Sequence, residues 1–336
     1  MRTSRRQIDR IAVQSAIQRA LAVALFAAPM AAPARAQEPY PVRAVEIIVP
    51  FAVGGATDLV ARLLCEGLGQ RLRQPFVAIN RPGGNTNLGT LAAVRSKPDG
   101  HTLLMASFGL AANPSVYRNL PFDPARDLAP IALIINTPSI LVINPTLPAN
   151  DLAELIAYVK ARPGELNYAS YGVGSSPHLA AEFFQALTGT RIVHVPYSGG
   201  GGQAMLGVVG NSVQMLFPSV VTVLGMIKGG SLRAIAIGSE RRLPLLPEVP
   251  TFRESGLDLT PGTWFGLLAP AKTPEPVIAR LAAATQDMMR DPAIQARFTE
   301  LGAEVVGLGP SDFAKFLKEE TARLSTVIRD ANIHLE

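Results

Sequence analysis

The stretch Val45-Glu-Ile-Ile-Val-Pro-Phe-Ala-Val-Gly-Gly-Ala-Thr-Asp58 passes from an apolar strand, through a glycine pair, into the start of a helix. A continuous apolar run is typical of a strand that is buried on both faces of a sheet. Apolar residues then recur at helical spacing from Leu59 to Leu72, which predicts a helix directly after the glycines. A strand, turn and helix in this order form the repeating unit of an α/β fold.

The same alternation continues along the 336 residues. Further strands are predicted at 76–80, 102–106, 131–135, 140–143, 167–170, 191–195, 213–217, 232–237 and 264–269. Helices are predicted at 57–72, 86–95, from Asn150 or Asp151 to Pro163-Gly164, at 274–290, and at 311–331 with Ser311 as the N-cap. This pattern predicts parallel sheets covered by helices, with too many units for one sheet. We therefore predict an α/β protein of two doubly wound domains with a ligand cleft between them.

Composition excludes several classes of protein. Hydrophobic residues make up 48% and charged residues 17% of the chain, which excludes a disordered protein. The formal net charge of +5 comes from the N-terminal region, because residues 1–36 hold six of the 31 basic side chains and one of the 26 acidic ones. The remaining 25 basic and 25 acidic side chains balance, so no nucleic-acid partner is expected.

Residues 1–36 have the pattern of an export signal. Arg2, Arg5, Arg6 and Arg10 precede an apolar run that ends at Pro29, and Ala34-Arg-Ala36 is an A-x-A cleavage pattern. The apolar run is too short to cross a bilayer, so no membrane anchor is expected. We predict cleavage after Ala36 and a periplasmic location, with Sec and twin-arginine export both open.

Small residues follow nearly every strand. They occur in the segments 52–58, 82–87, 107–109, 170–178, 198–202 and 218–219. In open α/β sheets, ligands bind beyond the carboxyl ends of the strands, where glycines permit close approach and helix N-termini offer unpaired N–H groups. Any one of these loops is equally explained as a tight turn, and Asp58, Ser175 or His178 as a helix-start residue. Their recurrence favours a site for a small anion, and a carboxylate fits it well.

Longer motifs resemble a known family. They are Val49–Asp58 with Ala61-Arg62, Asn80–Gly83, Pro98–Leu104, Asn113-Pro114, Leu120–Asp123, Leu166–Ser170, Gly174–Leu179, His194–Tyr197, Leu232–Ala236, Pro247–Thr251, Trp264–Pro270 and Leu301–Ala303. In this order and spacing they are similar to the extracytoplasmic solute receptors of tripartite tricarboxylate transporters, also called the Bug family. The resemblance covers nearly all of the chain after residue 36.

The resemblance implies a periplasmic-binding-protein fold of the Venus-flytrap type that closes on a small carboxylate and serves membrane transporter subunits. It implies domain 1 at 37–137 plus 240–336 and domain 2 at 138–239, with a hinge near 136–138 and 238–239. The expected ligand contacts are Phe51, Gly54, Gly55, Ala56, Asp58, Gly84, Asn85, Thr86, Ser107, Ser170, Gly174, Ser175, Ser176, His178 and Ser219. Neither a cofactor nor a metal is expected, and the default oligomeric state is a monomer.

Three positions depart from the pattern of the family. The loop Pro82–Asn87 replaces a Pro-Gly-Ala-Gly-Gly type of sequence, Ser198 stands where many members have Lys, and Pro218-Ser219 stands where an Asp often follows the strand. These departures leave the identity of the ligand open.

Two other functions remain open at this point. Ser175 or Ser176, His178 and Asp58 supply the residue types of a hydrolase triad, although no G-x-S-x-G motif is present. A receptor that reports a ligand to a membrane sensor is the other alternative. The single cysteine, Cys65, lies on an apolar helical pattern and is expected to be a buried thiol.

Overall fold

The computed structural model describes residues 40–197 and 200–330. The predicted signal peptide, residues 1–36, and the departure at Ser198 lie outside these ranges. None of the helices found in the described part of the chain has the length and hydropathy needed to span a membrane.

The described residues alternate strands and helices. The strands are β1 (Val45–Val49), β2 (Phe76–Asn80), β3 (Thr102–Ser107), β4 (Leu128–Pro138), β5 (Ile140–Ile143), β6 (Asn167–Ser170), β7 (Val193–Pro196), β8 (Met215–Leu216), β9 (Arg233–Ile237), β10 (Gly262–Pro270) and β11 (Glu304–Leu308). The helices are α1 (Ala56–Leu72), α2 (Asn87–Val94), α3 (Gly109–Val116), α4 (Pro124–Asp127), α5 (Leu152–Lys160), α6 (Ser176–Thr188), α7 (Gly201–Val209), α8 (Val220–Lys228), α9 (Glu275–Arg290), α10 (Pro292–Glu300) and α11 (Pro310–Asp330).

The first lobe is built on a sheet of six strands in the order β11-β4-β10-β3-β1-β2. β1 pairs in parallel with β2 and β3, so the turns that follow these strands share one edge of the sheet. β10 runs antiparallel to both β3 and β4, and β11 runs antiparallel to β4. The prediction of a purely parallel sheet is therefore wrong for this lobe, because β4 and β10 are crossing strands rather than βαβ repeats.

The second lobe is built on a sheet of five strands in the order β7-β6-β8-β5-β9. β6 is parallel to β7 and β8, whereas β5 is antiparallel to β8 and β9. Here too the sheet is mixed rather than purely parallel. The predicted α/β class with two sheets and interleaved helices is confirmed.

The two chain crossings between the lobes lie side by side. β4 ends at Pro138 and β5 begins at Ile140, and β10 begins at Gly262 next to Pro138. The Ser139 amide donates a hydrogen bond of 2.9 Å to the Pro261 carbonyl. Two adjacent strands thus connect the lobes, an arrangement that permits a hinge motion.

Each lobe has its own apolar core. In the first lobe, α1 and α9 bury Leu64, Leu281 and Met288 against Ile47 and Leu267 of the sheet. In the second lobe, the core includes residues from the segment that follows β9, namely Leu246, Val249, Phe252 and Leu259. The segment between β9 and the second crossing therefore packs with the second lobe.

Local signals set several helix ends. The Asp151 carboxylate accepts a hydrogen bond of 2.8 Å from the Glu154 amide and so caps α5. Asp151 is one of the two residues, with Asn150, at which this helix was predicted to begin. The prediction for the last helix is wrong at its start, because α11 begins at Pro310 and Ser311 is already helical. Pro at the first helical position is favourable since it has no N–H to leave unpaired.

Candidate functional site

A cavity lies between the lobes at the point where six helices begin. Its walls include the first or N-cap residue of α1 (Gly55, Ala56), α2 (Thr86), α3 (Phe108, Gly109), α6 (Ser175, Ser176), α7 (Gly201) and α8 (Ser219). Three of these helices belong to each lobe. The amide groups of a helix's first turn have no partner within the helix, and its dipole is positive at this end. The cavity is therefore surrounded by hydrogen-bond donors and partial positive charge.

The helices at the cavity have no side-chain caps. No side chain accepts a hydrogen bond at the N-caps of α1, α2, α3, α6, α7 or α8. By contrast, aspartates cap α4, α5 and α10 away from the cavity, through Asp123, Asp151 and Asp291. A cap carboxylate would occupy the donors that an anionic ligand needs. The N-termini at the cavity are thus left open for a ligand.

The walls of the cavity are electrically neutral. Among the described residues that line it, none is Asp, Glu, Lys, Arg or His. Phe51, Phe108, Tyr171 and Phe265 add aromatic surface. Burial raises the pKa of the Tyr171 hydroxyl, and a hydrogen bond with Thr222 opposes this shift only in part, so this phenol stays uncharged. An anion bound here meets backbone amides, hydroxyl groups and aromatic rings rather than a counter-ion.

The structure brings nine of the fifteen predicted contacts to the cavity. They are Phe51, Gly55, Ala56, Asn85, Thr86, Ser107, Ser175, Ser176 and Ser219. They come from both lobes, as a closing receptor requires. Whether they touch a ligand stays a prediction.

Asp58 does not reach the cavity wall. Its carboxylate accepts hydrogen bonds from the Gly54 amide (3.0 Å), Arg62 Nε (3.0 Å) and Asn80 Nδ2 (2.9 Å), and its side chain is only 2% exposed. Burial alone would raise the pKa of Asp58, but these hydrogen bonds outweigh it and hold the pKa below its usual value. Asp58 and Gly54 therefore shape the first loop from behind, and neither is a wall of the cavity.

His178 and Ser170 belong to a cluster of stacked rings and hydrogen-bonded side chains in the second lobe, outside the lining of the cavity. The rings of His178 and His194 stack with centroids 4.2 Å apart, and Tyr168 stacks on His194 at 4.9 Å. The Gly174 amide donates to His178 Nδ1 over 3.0 Å, and Ser170 Oγ lies 2.6 Å from His194 Nε2. Burial lowers the pKa of both histidines to about 4. His178, Ser170 and Gly174 thus support the loop that carries Ser175 and Ser176 without lining the cavity.

Gly84 is the sixth predicted contact outside the cavity. It lines a neighbouring groove at the mouth of the cleft, together with Asn85, Tyr117 and Gly172. Its φ of 56° lies in the left-handed region, and its role in the structure is to shape the second loop.

Nine cavity residues are not among the fifteen predicted contacts. Six of them lie in loops that the sequence predicts to form the site, namely Ala52, Thr57, Phe108, Gly109, Tyr171 and Gly201. Thr222, Thr263 and Phe265 lie outside those loops. Thr263 and Phe265 alternate with Trp264 on the crossing strand β10, so period-two spacing puts both on one face. That alternation is a signal that sequence reasoning can use once β10 is known to cross between the lobes.

A hydrolase triad is not assembled. The Asp58 carboxylate is bound by its three donors in the first lobe, whereas His178 Nδ1 accepts from the Gly174 amide in the second lobe. Ser170, which does contact a histidine, is fully buried. Within residues 40–197 and 200–330, no group of three or more His, Cys, Asp or Glu side chains is placed to hold a metal ion.

Two lobes joined by adjacent crossing strands, with a neutral cavity at facing helix N-termini, define a solute-binding protein of the periplasmic class. Residues 60–333 match the model of the tripartite tricarboxylate transporter family receptor, and the chain belongs to this family. Protein BugT of Bordetella pertussis is 36% identical over 300 residues, which cover 88% of this chain and 92% of that protein.

Solved structures agree with this assignment. A protein of R. palustris solved with adipate has a TM-score of 0.86 and 31% identity, and covers 88% of this chain and 100% of its own. MatC from Rhodopseudomonas palustris, solved with bound malate, has a TM-score of 0.81 and 33% identity over 86% of this chain and 100% of its own. The family and these neighbours are binding proteins rather than enzymes.

Proposed function

We propose that this chain is an exported receptor that captures a small carboxylate between its lobes and delivers it to a tripartite tricarboxylate-type membrane transporter. The observation that carries this proposal is the convergence of six uncapped helix N-termini on one neutral cavity. Each N-terminus contributes about 0.3–1 kcal/mol to an anion at its end, and more where the site is partly buried. Donors from both lobes then favour the closed form when the anion is bound.

The lining of the cavity favours a small acid with an apolar part. Its donors suit carboxylate oxygens, and its aromatic walls suit a short hydrocarbon spacer. Two relatives in the family hold adipate and malate, which are acids of this kind.

The proposed contacts come from both lobes. From the first lobe we propose Phe51, Gly55, Ala56, Asn85, Thr86 and Ser107, and from the second lobe Tyr171, Ser175, Ser176, Ser219 and Thr222. Gly54, Asp58, Gly84, Ser170, Gly174 and His178 act behind them by holding the loops in place.

The packing also suggests where the domains divide. We place the first boundary between 137 and 138, as the sequence predicts. The second boundary is placed at 261–262 rather than at 239–240, because Leu246, Val249, Phe252 and Leu259 pack in the second lobe. The hinge then consists of Pro138-Ser139 and Pro261-Gly262, which hydrogen-bond to each other.

Export and the transporter partner follow from the N-terminal pattern and the family. The signal sequence predicts release into the periplasm after Ala36, and the family is that of transporter receptors. A monomer with one cleft is sufficient for this role.

The test is a ligand panel. The full chain is unfolded and refolded once to remove any acid that copurifies, and its thermal unfolding is then followed with malate, adipate, citrate, aromatic acids, acidic amino acids and uncharged amides. An acid at a hundred times its dissociation constant stabilises the fold by about 2.7 kcal/mol, which shifts Tm by several degrees. A shift restricted to carboxylates is the expected result. Folded protein that responds to none of the acids would contradict the proposal.

A further inference from the structure

The second loop is held in an unusual backbone conformation. Gly83, Gly84, Asn85 and Thr86 have φ angles of 128°, 56°, 48° and 77°, so four consecutive residues lie at positive φ. A positive φ is unfavourable for threonine, because this residue is β-branched. It is also rare for other residues except glycine and asparagine. Such a loop persists only where its surroundings hold it.

Asn113 of α3 provides that support. Its Nδ2 donates to the Asn85 carbonyl (2.7 Å) and to Asn87 Oδ1 (2.7 Å), and its side chain is almost fully buried. The Asn113 Oδ1 accepts from Asn85 Nδ2 over 2.8 Å. The Asn85 side chain is thus held in one orientation by the first lobe.

The same Asn85 amide group crosses the cleft. Its Nδ2 also donates to the Val173 carbonyl of the second lobe over 2.9 Å, so its two N–H groups serve one lobe each. The Val173 carbonyl, which accepts this bond, is also held in place, because the next residue, Gly174, donates its amide to His178 Nδ1. A Cβ atom on Gly174 would lie 2.8 Å from Val116 and 3.4 Å from Asn85 Nδ2, so only glycine allows this approach.

We propose that Asn85 is a latch that holds the two lobes closed and thereby slows the release of ligand. This inference deepens the proposed function and rests on it. The bond to Val173 exists only when the lobes meet, so its loss changes the stability of the closed form and leaves the open form unaffected. Because the ligand leaves only from the open form, the loss of this bond raises the dissociation rate.

The central variant is Asn85→Gly. Glycine adopts a φ of 48° without strain, so this exchange removes the amide group and keeps the backbone of the loop. Asn211→Gly is the matched control, since Asn211 has a φ of 58° at an exposed turn of the second lobe. Asn85→Asp is a second variant of nearly equal size that places a carboxylate against the Val173 carbonyl.

Two measurements test the latch. The first is stopped-flow fluorescence of the single tryptophan, Trp264, with malate and adipate as probes. We expect Asn85→Gly to raise the dissociation rate about threefold to tenfold, the worth of one neutral hydrogen bond, whereas Asn211→Gly should release the probe at the rate of the parent. Asn85→Asp should release the probe still faster. An unchanged dissociation rate in Asn85→Gly would overturn the proposal.

The second measurement needs no ligand. Small-angle X-ray scattering of the ligand-free chain should show a larger radius of gyration for Asn85→Gly than for the parent and for Asn211→Gly. This separates the two proposals. If no acid binds but Asn85→Gly opens the lobes, the latch stands and the proposed function fails. If an acid binds and Asn85→Gly changes neither its release nor the scattering, the latch fails and the function stands.

Discussion

At the scale of single residues, the buried histidine pair predicts how stability depends on pH. Burial lowers the pKa of His178 and His194 to about 4, from about 6.5 in an unfolded chain, and the His178 charge opposes protonation of His194. Glu182, whose Oε1 lies 3.9 Å from His178 Nε2, opposes this shift for His194. Between pH 6.5 and 4 the unfolded chain therefore binds more protons than the folded one. The free energy of unfolding should fall as the pH is lowered through this window.

The test of this prediction is His178→Asn followed by urea unfolding at several pH values. Asn Oδ1 can accept the Gly174 amide as His178 Nδ1 does, but it does not take up a proton in this range. We expect the variant to lose stability less steeply below pH 6.5, by up to about 1.4 kcal/mol per pH unit. Equal slopes in the parent and His178→Asn would refute the prediction.

Asp58 shows what sequence can and cannot establish at this scale. Its place at the start of α1 was correctly predicted from the strand–turn–helix pattern. The direction of the Asp58 side chain depends on Arg62, four residues later, and on Asn80 of strand β2. Both donate hydrogen bonds to the Asp58 carboxylate and hold it away from the cavity. A local pattern places a residue in a loop, whereas the donors that orient it come from elements that only the fold brings together.

At the scale of elements, the uncapped helices predict that a side chain which caps one of them will stabilise the fold and weaken ligand binding. Gly55 is the N-cap of the 17-residue helix α1, has extended φ and ψ, and lines the cavity. A Cβ at this position would meet nothing closer than the Ala52 carbonyl oxygen at 3.9 Å. Gly55→Asp therefore supplies the helix with its own cap, as Asp151 does for α5.

We expect Gly55→Asp to raise the free energy of unfolding by about 0.5–1 kcal/mol, from the cap and the helix dipole. The same carboxylate occupies the donors and repels an anion, so carboxylate affinity should fall about tenfold to a hundredfold. Thermal unfolding and calorimetric titration measure the two effects. Gly55→Asn adds a neutral side chain of equal size and should cost less affinity. A carboxylate that binds Gly55→Asp as tightly as the parent would show that the α1 N-terminus is not part of the site.

The strands were predicted where the apolar run was continuous, and one was missed where the run is interrupted. The sequence predicts β2 and β5 with the observed ends, because each is an apolar run between turn residues. β11 was missed, because Gly307, at a φ of 63°, interrupts its apolar run. The antiparallel direction of β10 could not be predicted, because the apolar sequence of a buried strand does not show whether it runs parallel or antiparallel to its neighbours.

At the scale of the whole molecule, the lobes meet through small and apolar residues. Val173, Leu179 and Phe183 of the second lobe pack on the apolar cluster of the first. A Cβ on Gly302 would lie 2.7 Å from Val220 of the opposite lobe, so the surfaces approach closely there. Apolar contacts have no fixed direction, so such surfaces can separate on the time scale of hinge motions.

This interface predicts that ligand and closure are coupled. Open and closed forms must lie within a few kcal/mol of each other, and an acid that touches both lobes shifts the population towards the closed form. We expect small-angle scattering to show a smaller radius of gyration when malate or adipate saturates the chain. Trp264 should report the same event, because it lies on β10 between Thr263 and Phe265 of the cavity and packs edge-on against Phe313.

The Gly174→Val variant should block the closure of the lobes and still allow the acid to bind to one open lobe. Valine is strained at a φ of 78°, and its side chain meets Val116, so the lobes cannot come together at the cleft mouth. The variant should keep the open radius of gyration with or without the acid and bind it more weakly. Gly189→Val is the control, because Gly189 has a φ of 63° at the end of α6 with open space around it. If the parent binds an acid with no change in scattering, the cleft is rigid and the hinge mechanism is wrong.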